Sequence, residues 1–109
     1  MIDSLKKPEE FRTVFQNGSM RFGRYVAVHL LWNESEKIRI GVSASKKVGK
    51  AVVRNRVKRR IKEALRDVSS SILPGVSIVV GCKAKSSHAS YWELREDLSR
   101  TLKGLGALR

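Results

Sequence analysis

No set of side chains in this 109-residue sequence is spaced to do covalent chemistry. His29 and His88 have no carboxylate or cysteine at ligand spacing, so neither a metal centre nor a nucleophilic triad is indicated. Cys82 is the only cysteine, which excludes an internal disulfide and a thiolate cluster. It follows Val76, Ile78 and Val80 at alternate positions and reads as a small buried hydrophobe. Gly41 to Lys50 fails as a nucleotide-binding phosphate loop: seven residues separate Gly41 from Gly49 where four are needed, and Ala51 replaces the required Ser or Thr. What the chain concentrates instead is positive charge. Ser43 to Lys62 holds nine basic residues and no acid. From Lys37 to Lys62 there are eleven Lys or Arg, while the other 83 residues carry twelve basic and ten acidic side chains. Charge so confined marks a docking surface for a polyanion, since a solubility device would spread it.

The periodicity predicts that a helix from near Val52 to near Val68 carries most of this charge. At 100° per residue, Val53, Val57, Ile61, Ala64, Leu65 and Val68 fall within an arc of about 120°, a core-facing stripe. Arg54, Lys58 and Lys62 flank one edge of the stripe, and Arg56 and Arg60 flank the other. Asn55, Arg59 and Arg66 lie on the outward side. Cations in a first helical turn oppose the helix dipole by ~0.3–1 kcal/mol each. Arg54, Arg56 and Lys58 have no acid three or four residues away to relieve them. A helix N-terminus crowded with guanidinium groups is a phosphate site. On the residues alone, a structural RNA-binding protein of the ribosomal kind and a DNA-binding helix-turn-helix regulator stay open. The second lacks a short preceding helix and is set among strands.

The remaining elements follow from turn signals and period. Pro8 to Asn17 reads as a helix, with Pro8 at its first position, Glu9 and Glu10 at the positive end, and Gly18 closing it. Phe11, Val14 and Phe15 form its stripe. Met20 to Trp32 alternates and breaks near Gly23, placing Met20, Phe22, Val26, Val28, Leu30 and Trp32 on one face and Tyr25, Ala27, His29 and Leu31 on the other. After a polar loop at Asn33–Lys37, Ile38 to Ala44 continues as strand, with Arg39, Gly41, Ser43 and Ser45 on its second face. Val76 to Cys82 is apolar nearly throughout and predicts a central strand. Tyr91, Leu94, Leu98, Leu102 and Leu105 mark a last helix, opened by a Ser90–Glu93 capping box. The expected fold is α+β: one two-layer domain over residues 1–109, an about four-stranded mixed sheet, and the order α-β-β-(β)-α-β-α. No run approaches the ~18 apolar residues of a membrane span. The N-terminus lacks a signal-peptide core, so a cytoplasmic location is expected.

Gly41 to Arg60 resembles the signature of the protein subunit of bacterial ribonuclease P. That hallmark runs Ser-Lys-Lys-x-Gly-x-Ala-Val-x-Arg-Asn-Arg-x-Lys-Arg, and Ser45 to Arg59 holds every fixed position. The flanking pattern agrees over nearly the whole chain. The resemblance implies a protein cofactor of a catalytic RNA, in a holoenzyme that removes the 5′ leader from precursor tRNA. Magnesium, held mainly by the RNA subunit, does the hydrolysis, with no catalytic or metal residue on the protein and no membrane or small-molecule partner. It implies a left-handed βαβ crossover, against the usual right-handed rule. It assigns the RNA subunit to Lys46, Lys47, Lys50, Arg54, Asn55, Arg56, Lys58, Arg59, Arg60 and Lys62. It also implies a cleft between the first helix and the sheet for the single-stranded leader. There Phe11 and Phe15 match the family's phenylalanines, His29 stands where many members have tyrosine, and Ser43 and Ser45 lie alongside. Such a floor suits single-stranded RNA, which is bound by stacking on aromatics beside a basic groove.

Overall fold

Eight main elements follow one another in the chain: β1 (Ile2–Ser4), α1 (Pro8–Asn17), β2 (Ser19–Phe22), β3 (Val26–Trp32), β4 (Ile38–Ala44), α2 (Ala51–Asp67), β5 (Val76–Cys82) and α3 (Tyr91–Gly104). The computed structural model describes residues 2–33 and 35–109; Glu34, in the expected hairpin loop, lies outside them. The strands form one mixed sheet in the order β1-β4-β5-β3-β2. β4 runs parallel to β1 and β5, and the β5–β3 and β3–β2 pairs are antiparallel. β5 is central, and Val76 to Val80 are all buried, as a run apolar at every position but Ser77 demands.

Two expectations about the architecture are corrected. The sheet has five strands, not about four, because Ile2–Ser4 adds an edge strand too short to show any period. Nor is the domain two-layered: α1 covers the face opposite α2 and α3. On the larger side, Val26, Val28, Leu30, Ile40, Ile78 and Val80 meet Val57, Ile61 and Leu65 of α2 and Leu94, Leu98 and Leu102 of α3. On the other, Val79 is sealed by Leu5 and Val14, with Phe11 and Leu31 against them. Each fully buried Val, Leu or Ile contributes ~1.5–3 kcal/mol, so both interfaces are strong.

The alternation through residues 20–32 also changes phase. Gly23 N–H donates to the Val26 carbonyl (2.7 Å), closing a two-residue turn at Arg24 and Tyr25. The register then pairs Met20 with His29 and Phe22 with Ala27. Met20 and Phe22 therefore lie on the α1 face, not on the face of Val28. Trp32, at the strand's end, is 51% exposed.

That turn is held from both sides. The buried carboxylate of Asp97 on α3 accepts the backbone N–H groups of Arg24 (2.8 Å), Tyr25 (2.8 Å) and Val26 (3.2 Å). Lys83 Nζ donates to the Gly23 carbonyl at 2.6 Å. The Ser90–Glu93 capping box forms as expected. Cys82 packs against the core, and burial pushes its thiol up to about 11, so it stays a neutral, apolar group near pH 7. Among the described residues, no helix is long and apolar enough to cross a membrane.

Candidate nucleic-acid interface

The basic surface is built by a change of chain direction after β4. Ser45 caps a 3-10 turn at Lys46–Val48, its Oγ accepting the Lys47 N–H at 3.3 Å. Gly49 follows at φ +149°, where a side chain would be strained, and the chain enters α2. The N-cap Lys50 makes no side-chain capping bond, and no acid occupies the first turn. The first amides of α2 thus have no side-chain acceptor, and the positive end of the helix dipole is open.

The buried stripe of α2 orients everything else on it. Val57, Ile61, Ala64 and Leu65 are fully enclosed, with Val53 and Val68 partly buried beside them. Lys62 and Arg66 come against Ile2, Ser4 and Ile40 at the β1 edge. Asn55, Lys58, Arg59, Lys62 and Arg66 line an open groove along the outward side, together with Glu63 and Asp67. Arg60 has a structural share, since its Nη1 donates to the Ala89 carbonyl (3.2 Å) and ties α2 to the start of α3. Arg56 Nε is buried with no hydrogen-bond partner among the described residues.

Ion pairs engage the cations that precede the basic turn. Lys37 pairs with Asp3 (3.4 Å) and Arg39 with Glu10 (3.4 Å), while the third pair, Arg100–Glu96 (2.7 Å), is remote. Among the described residues, none of the nine cations from Lys46 to Lys62 makes a salt bridge. No ion pair among the described residues offsets their mutual repulsion, and a surface of that charge attracts polyanions.

The aromatic set lies on the α1 face. One row across the sheet runs Met20, His29, Val79, Gly41, and the next runs Phe22, Ala27, Gly81, Ser43. Phe11 lies over Gly41 so closely that a Cβ there would come within 2.6 Å of its ring, so Phe11 serves mainly to seat α1. Phe15 is 46% exposed and meets His29 edge-on, with ring centroids 4.6 Å apart. Burial lowers the His29 pKa from its ordinary value, so its imidazole is neutral near pH 7. Ser43 and Ser45 are exposed, and the chain passes directly from Ser45 to Lys46. Ser43 therefore shares the sheet face of the Phe15–His29 pair, and Ser45 and the basic turn follow it in the chain.

Met20, Phe22 and Lys83 also belong to this face, and sequence reasoning missed all three. Phe22 is 65% exposed, with Lys83 Nζ 5.1 Å from its ring centroid. The missed signal was the even number of residues in the turn at Arg24–Tyr25, which inverts the faces across it. Among the described residues, no group of three His, Cys, Asp or Glu side chains converges.

A family model described as Ribonuclease P matches residues 2–106. The ribonuclease P protein component of Clostridioides difficile is 40% identical over 102 residues, covering 93% of this chain and 86% of the relative. That of Carboxydothermus hydrogenoformans is 50% identical over 78 residues, 70% of this chain and 67% of the relative. The solved RNase P protein of Staphylococcus aureus superposes with a TM-score of 0.88 at 29% identity, covering 97% of each chain. The Thermotoga maritima protein gives 0.85 at 30% identity, covering 94% of this chain and 96% of that one. The chain therefore belongs to the ribonuclease P protein family, whose members are the protein components of the endoribonuclease that matures the 5′ ends of tRNA.

Proposed function

We propose that the two surfaces divide the labour of that holoenzyme. The nine unpaired cations, with Asn55, dock the catalytic RNA, and the α1 face takes the single-stranded leader of precursor tRNA. The observation that carries the first half is the absence of any salt bridge to Lys46–Lys62 among the described residues, although acids pair with Lys37, Arg39 and Arg100. The second half rests on the half-exposed Phe15 ring beside a neutral His29, with Ser43 on the same sheet face and Ser45 and Lys46 next in the chain.

Magnesium, held mainly by the RNA, supplies the hydrolytic chemistry; this chain's own part is to neutralise phosphates and to place the leader. The α2 amides and Arg54, Arg56 and Lys58 act on RNA backbone, which carries no sequence information and fixes orientation. Phe15 offers a π-face, which every base can use, so leader capture tolerates many sequences. We read the β4–α2–β5 connection as the family's left-handed crossover, and the setting as the cytoplasm.

Phe15→Ala tests the leader half. Base–aromatic stacking contributes ~1–3 kcal/mol by alanine substitution, so the holoenzyme should lose about tenfold of its preference for precursor over mature tRNA. Competitive binding of the two substrates measures it. Equal weakening for both would place Phe15 outside a leader cleft.

A further inference from the structure

The Phe15–His29 pair occupies one row of the sheet, and the row beside it is built like a second station. Its edge residue is Phe22, an aromatic ring 65% exposed on a strand whose four residues are all exposed. Lys83 Nζ stands 5.1 Å from that ring and is fixed by its 2.6 Å bond to the Gly23 carbonyl, so the cation is held in place. Across the sheet from Phe22 come Ala27, Gly81 and Ser43, side chains too small to fill the space above them. At Gly81 the nearest atom to an added Cβ is the Ala27 carbonyl oxygen at 3.6 Å, an ordinary contact.

We propose that Phe22 and Lys83 form a separate base-stacking position of the leader cleft, one nucleotide's base lying on the Phe22 ring above the Ala27–Gly81–Ser43 trough, with its phosphate near Lys83. This rests on the reading of the α1 face as the leader site. A large exposed aromatic held beside a fixed cation suits a base and its phosphate, and it suits a neutral apolar partner poorly. Spacing adds to this. Same-face rows of a sheet are two residues apart, about 7 Å along the strand, roughly twice the ~3.4 Å step of a stacked strand. The two rows therefore hold two bases unstacked from each other, the form in which single-stranded RNA is read.

The test is the affinity of the reconstituted holoenzyme for precursor tRNAs whose leaders are shortened one nucleotide at a time. Phe22→Ala should weaken binding of the long-leader substrate about five- to tenfold and leave mature tRNA unaffected. Gly81→Leu, whose Cβ meets only the Ala27 carbonyl oxygen at an ordinary 3.6 Å contact and whose larger side chain would occupy the trough, should do the same. Phe22→Trp should bind as well as the unaltered protein, whereas Phe22→Leu, which keeps apolar area but loses the π-face, should be as weak as alanine. The Phe22→Ala and Phe15→Ala deficits should vanish at different leader lengths. If Phe22→Ala binds normally at every length while Phe15→Ala is weak, the second position is overturned and the leader reading stands. If both deficits vanish at the same length, or Phe22→Ala weakens mature tRNA equally, the separate position is overturned too. If neither variant shows a deficit, the leader reading itself fails, and this proposal with it.

Discussion

Replacing Arg54 and Arg56 together by alanine lowers affinity for the catalytic RNA on the order of a hundredfold and flattens its dependence on salt. Hydrogen bonds involving a charged group contribute ~1.5–3 kcal/mol, and two such contacts at the low end reach that factor. The slope of log K against log salt should fall in magnitude by roughly 1.4 for single-stranded or 1.8 for duplex contacts, at ~0.7 and ~0.9 per phosphate. The free protein should behave in the opposite direction. Both arginines lie in or next to the first turn of α2, which has no acid and no side-chain cap, and neither makes a salt bridge among the described residues. Removing them relieves repulsion and the clash with the dipole, ~0.3–1 kcal/mol each, and alanine is the best helix former. Lower affinity with unchanged or higher melting temperature is the signature of a binding surface. An unchanged salt slope, or loss of stability with loss of binding, would show that these side chains hold the fold instead.

Asp97→Ala should be among the most damaging single changes to stability, costing ~3–5 kcal/mol. The carboxylate accepts three backbone N–H groups across the β2–β3 turn, and two of those bonds are buried. Each buried donor left without an acceptor costs ~1–3 kcal/mol, and charge-assisted bonds are the strong ones. For a domain of this size, thermal unfolding should move down by about 15 °C. A drop worth less than 1 kcal/mol would mean that water or a neighbouring group takes over those donors. The consequence reaches function, because the same turn carries Phe22 onto the α1 face and gives Lys83 its anchor at Gly23. Asp97 is thus a structural residue on one side of the sheet whose effect is felt on the other.

Much of this was legible in residue pattern because the strongest signals are local. The α2 stripe, Val57-Ile61-Leu65, declared its buried face at a helical period, and the side chains off that stripe followed. The apolar run of β5 announced a central strand, and Ser90 with Glu93 announced the start of α3. What escaped was set by pairing between distant segments. β1 is three residues long and exists through its parallel register with Ile38–Ile40. Counting alternate positions straight through the break near Gly23 puts Met20 and Phe22 on the wrong face, because the two-residue turn there reverses sides. Arg60 reads as one more cation in the sequence; only the fold brings it to the Ala89 carbonyl. Phe11 and Phe15, four residues apart on one helix, look equivalent, yet Gly41 draws the first ring down onto the sheet while the second stays half open.

The claim on which the rest depends is that this chain docks and positions RNA and does no chemistry itself. Reconstitution with its cognate RNA at low magnesium measures that directly, with 5′-leader removal from precursor tRNA as the readout. The protein alone should leave the substrate intact, and adding it to the RNA should restore cleavage at a magnesium concentration where the RNA by itself is inactive. Cleavage by the protein without RNA, or no rescue of the RNA by the protein, would contradict it.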